Sequence, residues 1–168
     1  MASEIYAQLK FDGTDVEEDH NSTFTPNVAG EDFSTAVECT SFRYGMNTPT
    51  QQGGQVQSGR HVCEPISLSF RATGKSTHQW LMALDRNHSV EGTFKSFRPA
   101  VGAGAQNELA STVTITAGRV IRFEIDSPDM LHPESAGHPM MCHAVISYHT
   151  LSLTTDGGEH EVSWGVNA

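Results

Sequence analysis

Basic residues are scarce in this sequence: ten Lys and Arg stand against twenty Asp and Glu, a formal charge of −10 with histidine neutral. That balance works against phosphate backbones and anionic lipid, so neither nucleic acid nor membrane insertion is expected of it. Long apolar runs are missing too. The opening MASEIYAQLKFDG alternates apolar with polar residues and has no basic leader, which reads as neither a signal peptide nor a spanning helix. The expectation is a chain that folds in the cytoplasm, with any export by another route. Cysteine is nearly absent. Cys39, Cys63 and Cys142 are odd in number and widely spaced, too few for a disulfide framework at this length, so reduced thiols packed as small apolar side chains are expected. Aromatic residues make up only 8% of the chain, fewer than a barrel lined to hold a small apolar ligand would need.

What is present is period-two alternation, the pattern of half-buried antiparallel strands. Over 5–11 it sets Ile5, Ala7, Leu9 and Phe11 against Tyr6, Gln8 and Lys10. It recurs over 66–72 and 119–126, with further strands expected at 36–44, 89–97, 110–117, 144–154 and 160–166. Asp156-Gly157 falls between the last two, where Asp-Gly supplies the positive φ angles of a tight hairpin. One stretch reads as helix: Ser76-Thr77-His78-Gln79 fits a capping box, and Thr77, Trp80, Leu81, Leu84 and His88 share a face. Trp80, Leu81 and Leu84 are the expected anchors of that helix to the core. Three segments break the alternation: Asp12–Thr35, Gly45–Arg60 and Ser127–Pro139. At 168 residues the length suits one domain, taken as 1–168. The fold class is mainly β: a small antiparallel barrel with one flanking helix and a long extended loop.

Catalytic and metal motifs do not complete themselves. Gly74-Lys75-Ser76 follows a strand and opens a helix like the end of a phosphate loop, but the earlier glycine that motif needs is Ser69. His138, Cys142 and His143, flanked by His132 and His149, are zinc-type ligands without metal-site spacing, and neighbours on a strand face opposite ways. No Gly-x-Ser-x-Gly elbow accompanies the many serines and nine histidines. Asp15, Glu17, Glu18 and Asp19 lack the glycine and spacing of a calcium loop. Asn21-Ser22-Thr23 matches a glycosylation acceptor but, with no signal peptide expected, reads as a chance tripeptide. The expectation is a protein that is not an enzyme and holds no cofactor or metal.

Four landmarks remain. Ile5-Tyr6 leads to Phe11-Asp12-Gly13, with Glu18-Asp19-His20 beyond. Thr40-Ser41-Phe42-Arg43-Tyr44-Gly45-Met46-Asn47-Thr48-Pro49-Thr50 ends a strand and opens an extended loop. Ile66-Ser67-Leu68-Ser69-Phe70 is followed by Lys75-Ser76 and the helix with Trp80, Leu81 and Leu84. Val145–Leu153 closes on the Asp156-Gly157 turn. Together they resemble the tube protein of type VI secretion, the hemolysin-coregulated protein (Hcp) family, although 21–35 and 127–139 look longer than that family's loops. The resemblance implies a homo-hexameric ring, rings stacked into a hollow tube, and a tube expelled from the cytoplasm that can carry effector proteins. It implies spike and sheath partners as well, and a subunit interface on the extended loop at Asn47, Thr48, Pro49, Thr50, Gln51, Gln52, Gly53 and Gly54. Tube subunits of phage tails and related injection devices share the pattern, and a small-ligand-binding barrel is the alternative from another class.

Overall fold

Residues 4–17, 35–50, 53, 61–99, 102, 107–135 and 137–163 are described by a computed structural model. In chain order they form β1 (Glu4–Phe11), β2 (Thr14–Asp15), β3 (Ala36–Asn47), β4 (Val62–Arg71), α1 (Thr77–Asp85), β5 (Val90–Arg98), β6 (Glu108–Asp126), β7 (Met141–Ser147), β8 (Thr150–Thr155) and β9 (Gly158–Ser163). Antiparallel pairing runs from β1 through β3, β4, β7, β6 and β5 back to β1, and this closes a barrel. β2 folds back on the end of β1, while β8 and β9 extend the sheet outward from β6. Closure removes the edges that an open sheet would leave.

The alternation explains the interior. Ile66, Leu68 and Phe70 of β4 point inward, as do Cys142, Ala144 and Ile146 of β7, with half-buried Ser67, Ser69, His143 and Val145 between them. They meet Leu9, Phe11, Val37, Phe94, Val113 and Ile115 in one core. Tyr6 is on the expected face of β1, with Gln8 and Lys10, but is not left to solvent there. It is buried on the outer side of β1 in a small cluster with Ala36 and Phe97, the two rings edge-on at 6.1 Å. Burial, then the carboxylates of Glu4 and Glu38, pushes its phenol well above the ordinary range.

Three expectations need correction. The segments 110–117 and 119–126 are one strand of 19 residues, β6, bent at Ala117 where φ is 50°. Ahead of the bend β6 lies between β5 and β8, and after it pairs with β7. The returning chain must follow the bend, so 144–154 is broken into β7 and β8, and His149 N–H donates to the Thr116 carbonyl at 3.1 Å. The β8–β9 hairpin turns at Asp156-Gly157, but the positive φ is at Gly158 (145°) instead. The geometry assigned to that pair belongs to Asp12-Gly13, whose φ values of 49° and 79° make the tight turn between β1 and β2. Asp12 there accepts the Ser89 N–H at 2.7 Å and the Ser89 hydroxyl at 2.9 Å, which holds its carboxyl below the usual range.

The helix face is also shifted. Trp80 and Ala83 are buried and Leu84 packs partly against the core, but Leu81 is 59% exposed and anchors nothing. The stripe therefore runs through Ser76, Trp80 and Ala83, turned away from the one that takes in Leu81. The capping box does not form: Ser76 makes no side-chain cap hydrogen bond. Gln79 reaches instead to the segment after β2, accepting the Glu17 N–H at 2.8 Å and donating to the Asp15 carbonyl at 3.2 Å. His88 lies beyond the helix. Its N–H closes the C-terminus on the Ala83 carbonyl, with Asn87 at φ 53° in the place glycine usually takes.

Candidate assembly surface

Strand β3 changes neighbours along its length. Its first part, Ala36–Cys39, registers with β1, and from Cys39 onward it pairs with β4 alone. β4 in turn meets β7 only from Ile66. Gly45–Asn47 and Val62–Glu64 thus form a two-stranded ribbon with no third strand beside it among the described residues. Phe42 rests on Phe94 inside the barrel at 4.8 Å and touches Tyr44 at 5.6 Å. Tyr44, Met46 and Val62 are all exposed on this ribbon, Met46 on the face it shares with Cys63 and Val62 on the opposite face, with Asn47. Arg43 and Glu64 pair across the ribbon at 3.6 Å, an exposed contact worth little.

Asn47 belongs to this ribbon, opposite Val62, and not to the loop where the sequence placed it. The hydrogen-bonded pairing persists through Gly45–Asn47 despite the polar composition. Thr48 and Thr50 are exposed, Pro49 is half-buried and Gly53 is exposed, whereas Gln51, Gln52 and Gly54 lie outside the described residues. Sequence reasoning missed Tyr44, Met46 and Val62 as an exposed apolar set. The signal was present, since residues 42, 44 and 46 alternate with polar ones past the point where β3 loses β1.

Polar side chains gather on the outer face of the barrel. An open groove of about 400 Å³ on the outer face of β3, β4, β7 and β6 is lined by Ser41, Arg43, Ser67, Ser69, Arg122 and His143, among others. Ser69 Oγ lies 2.7 Å from His143 Nδ1, and Glu124 stands opposite His143 in the register. Glu124, however, accepts from Arg122 at 2.6 Å. Both Ser69 and His143 sit within the β4–β7 ladder, opposite each other. Ser69, where a phosphate loop would need glycine, is strand. Cys142 and His143 face opposite sides of β7, one buried and one toward the groove. Among the described residues no three His, Cys, Asp or Glu side chains converge as metal ligands. His132, His138 and His149 are exposed, as is Asp15. Glu18, Asp19 and the Asn21-Ser22-Thr23 tripeptide lie outside the described residues.

All three cysteines are buried and outside any disulfide. Burial, followed by the neighbouring Glu38 carboxylate, pushes the Cys39 thiol up to about 12. A thiol whose pKa is raised in the folded state stabilises fully below its unfolded value and loses that contribution as pH climbs toward the folded one. Stability should hold to roughly pH 8.5 and then fall by about 1.4 kcal/mol per pH unit from this group alone. Denaturant titrations of the protein and of Cys39→Ala between pH 8 and 11 check this: a slope equal in both would refute the assignment.

No protein-family model matches the sequence, and no curated protein does. Among the described residues, no helix is long and apolar enough to cross a membrane. Solved structures do match. An Hcp protein superposes with a TM-score of 0.81 at 15% identity, over 99% of this chain and 100% of that one. The secreted protein Hcp3 from Pseudomonas aeruginosa gives 0.67 at 13% identity, over 98% and 100%. A type VI secretion system effector from Yersinia pestis gives 0.57 at 8% identity, over 95% and 99%. Likeness at such identities is a likeness of fold, and the fold of this chain, a closed β-barrel with one flanking helix, is that of the Hcp proteins over nearly its whole length.

Proposed function

We propose that this chain is a structural, non-catalytic tube subunit of a type VI secretion apparatus. On this reading residues 1–168 form one domain, six copies close into a ring, and rings stack into a tube with a lumen wide enough for effector proteins. The tube assembles in the cytoplasm against spike and sheath proteins and is then expelled. The single observation that carries the reading is the end-to-end fold match with Hcp proteins, barrel and flanking helix included. Two features of the barrel support it. Among the described residues β9 is bordered by β8 alone and β3 past Cys39 by β4 alone, and head-to-tail contacts around a closed ring are one way of covering such edges. The apolar Tyr44, Met46 and Val62 stand on the ribbon that leads into Thr48–Thr50, where a neighbouring subunit would bury them.

Native mass spectrometry at micromolar concentration tests the ring: a species of six times 18.2 kDa is expected, and monomer alone would sink the proposal. Deleting Thr50–Gln55 tests the arm. Loop closure depends weakly on length, so the variant should keep its far-ultraviolet spectrum while losing rings or stacks. Tubes built as well as the parent's would remove the arm from the interface.

A further inference from the structure

After Asp126 the chain leaves β6 and returns at Met141. Among the described residues between them, successive reverse turns take the place of strand or helix. The N–H groups of His132, Ser135 and His138 donate to the carbonyls of Asp129, His132 and Ser135 at 3.2, 3.0 and 3.0 Å. The Asp129 carboxylate accepts the Leu131 N–H at 3.0 Å. Pro128, Pro133 and Pro139 fix further φ angles, and the Met140 carbonyl ties the loop's end to Ala72 at 2.9 Å. This bracing holds Met130 and Leu131 outward, 62% and 94% exposed, the two most exposed large apolar side chains among the described residues.

Single exposed apolar residues are ordinary. An adjacent pair on a hydrogen-bonded crown is different, because little conformational freedom remains to be lost when it is buried. The charge along this part of the chain is one-sided. From Phe123 to Ala168 there are seven carboxylates and no Lys or Arg, with Asp126, Asp129 and Glu134 flanking the pair in sequence; the one cation that the strand pairing sets beside the loop's end is Arg71, opposite Met141.

We propose that the Met130–Leu131 crown is a docking knob for a different protein, one that offers an apolar socket rimmed with lysine or arginine. The apolar pair supplies the burial, and the three carboxylates steer the approach and fix its orientation. A second copy of this chain fits poorly. It carries a formal charge of −10, with twice as many acidic as basic residues, so like charge opposes the approach. The inference goes beyond the tube reading and holds whether or not the chain forms rings.

The test places photoreactive benzoylphenylalanine at position 131 in the full chain, crosslinks in the producing cells, and maps the joined peptides. A crosslink to another protein within a Lys- or Arg-bearing apolar segment is the expected result. A crosslink to a second copy of the chain, to an acidic segment, or to nothing would overturn the proposal. With the captured protein purified as the probe, Leu131→Asp should weaken binding roughly tenfold or more without lowering the melting temperature. Binding to the unaltered chain should also weaken between ~50 and ~200 mM salt. Equal affinity for the variant would likewise refute the knob.

Discussion

Trp80→Ala should lower the stability of this protein by about 3–5 kcal/mol, the range for emptying a buried aromatic site. Trp80 is fully buried, and three rings enclose it. Phe11 meets it edge-on at 5.1 Å, Phe70 lies tilted at 5.3 Å, and Phe123 stacks at 6.0 Å with 8° between planes. Those rings come from β1, β4 and β6, so the helix is joined to the barrel through one side chain that touches three strands. The rings are held by the strand ladders and cannot collapse into the space an alanine would leave, which places the cost high in its range. Against a total of ~5–15 kcal/mol such a loss is a large share, and the melting temperature should fall by roughly 10 °C. Leu81→Ala on the same helix should change it hardly at all, since that side chain is exposed. Equal losses from the two variants in a thermal scan would mean that the helix sits on the other face.

The contrast between Trp80 and Leu81 marks how far the sequence could be read. Strand positions were legible because period two survives wherever one face is buried: β7 keeps it throughout, and β4 keeps it from Ile66 to Phe70. The helix was legible as a helix. Its face was not, because Leu81 looks like a core residue by type, while the small Ala83, which lets the helix approach the barrel, carries no signal of its own. The capping box failed for a tertiary reason: Gln79 satisfies backbone groups near β2, 62 and 64 residues away, and no local pattern announces that. The face of Tyr6 was legible but its burial was not, because its cover comes from Phe97 on another strand. For the assembly surface, the polar run after Asn47 was visible but its apolar root at Tyr44, Met46 and Val62 was not. Their exposure follows from β3 outrunning β1, a matter of strand lengths in three dimensions. The union of two expected strands into β6 hinges on Ala117 and Gly118, which as a sequence pair look like a turn.

That pair gives the other large expected effect. Gly118 is buried at the bend of β6, opposite Val90 on one side and next to the residue that pairs with Ser147 on the other. A Cβ there would stand 2.7 Å from the Ser147 carbonyl oxygen and 3.1 Å from that of Val90. Both are backbone atoms fixed by the barrel's own pairing, so no rotamer change relieves the contact. The strands would have to part where β6 passes from β5 and β8 to β7. Overpacking a core usually costs ~1–3 kcal/mol and more where the backbone must move, so Gly118→Val belongs at or above the top of that range. A melting temperature lower by roughly 6–12 °C follows. Gly92 provides the comparison: its Cβ would meet Leu9 Cδ2 at 2.6 Å, but that atom ends a side chain that can rotate, so Gly92→Ala should cost less than Gly118→Ala. The neighbouring residue predicts the opposite sign. Ala117 is exposed and holds φ 50°, a conformation that costs an L-residue about 1 kcal/mol and glycine almost nothing. Ala117→Gly should therefore leave the protein as stable or slightly more so, by up to about 1 kcal/mol. If Gly118→Val melted with the parent while Ala117→Gly unfolded early, β6 would not bend at this point, and the closure of the barrel through its two halves would be wrong.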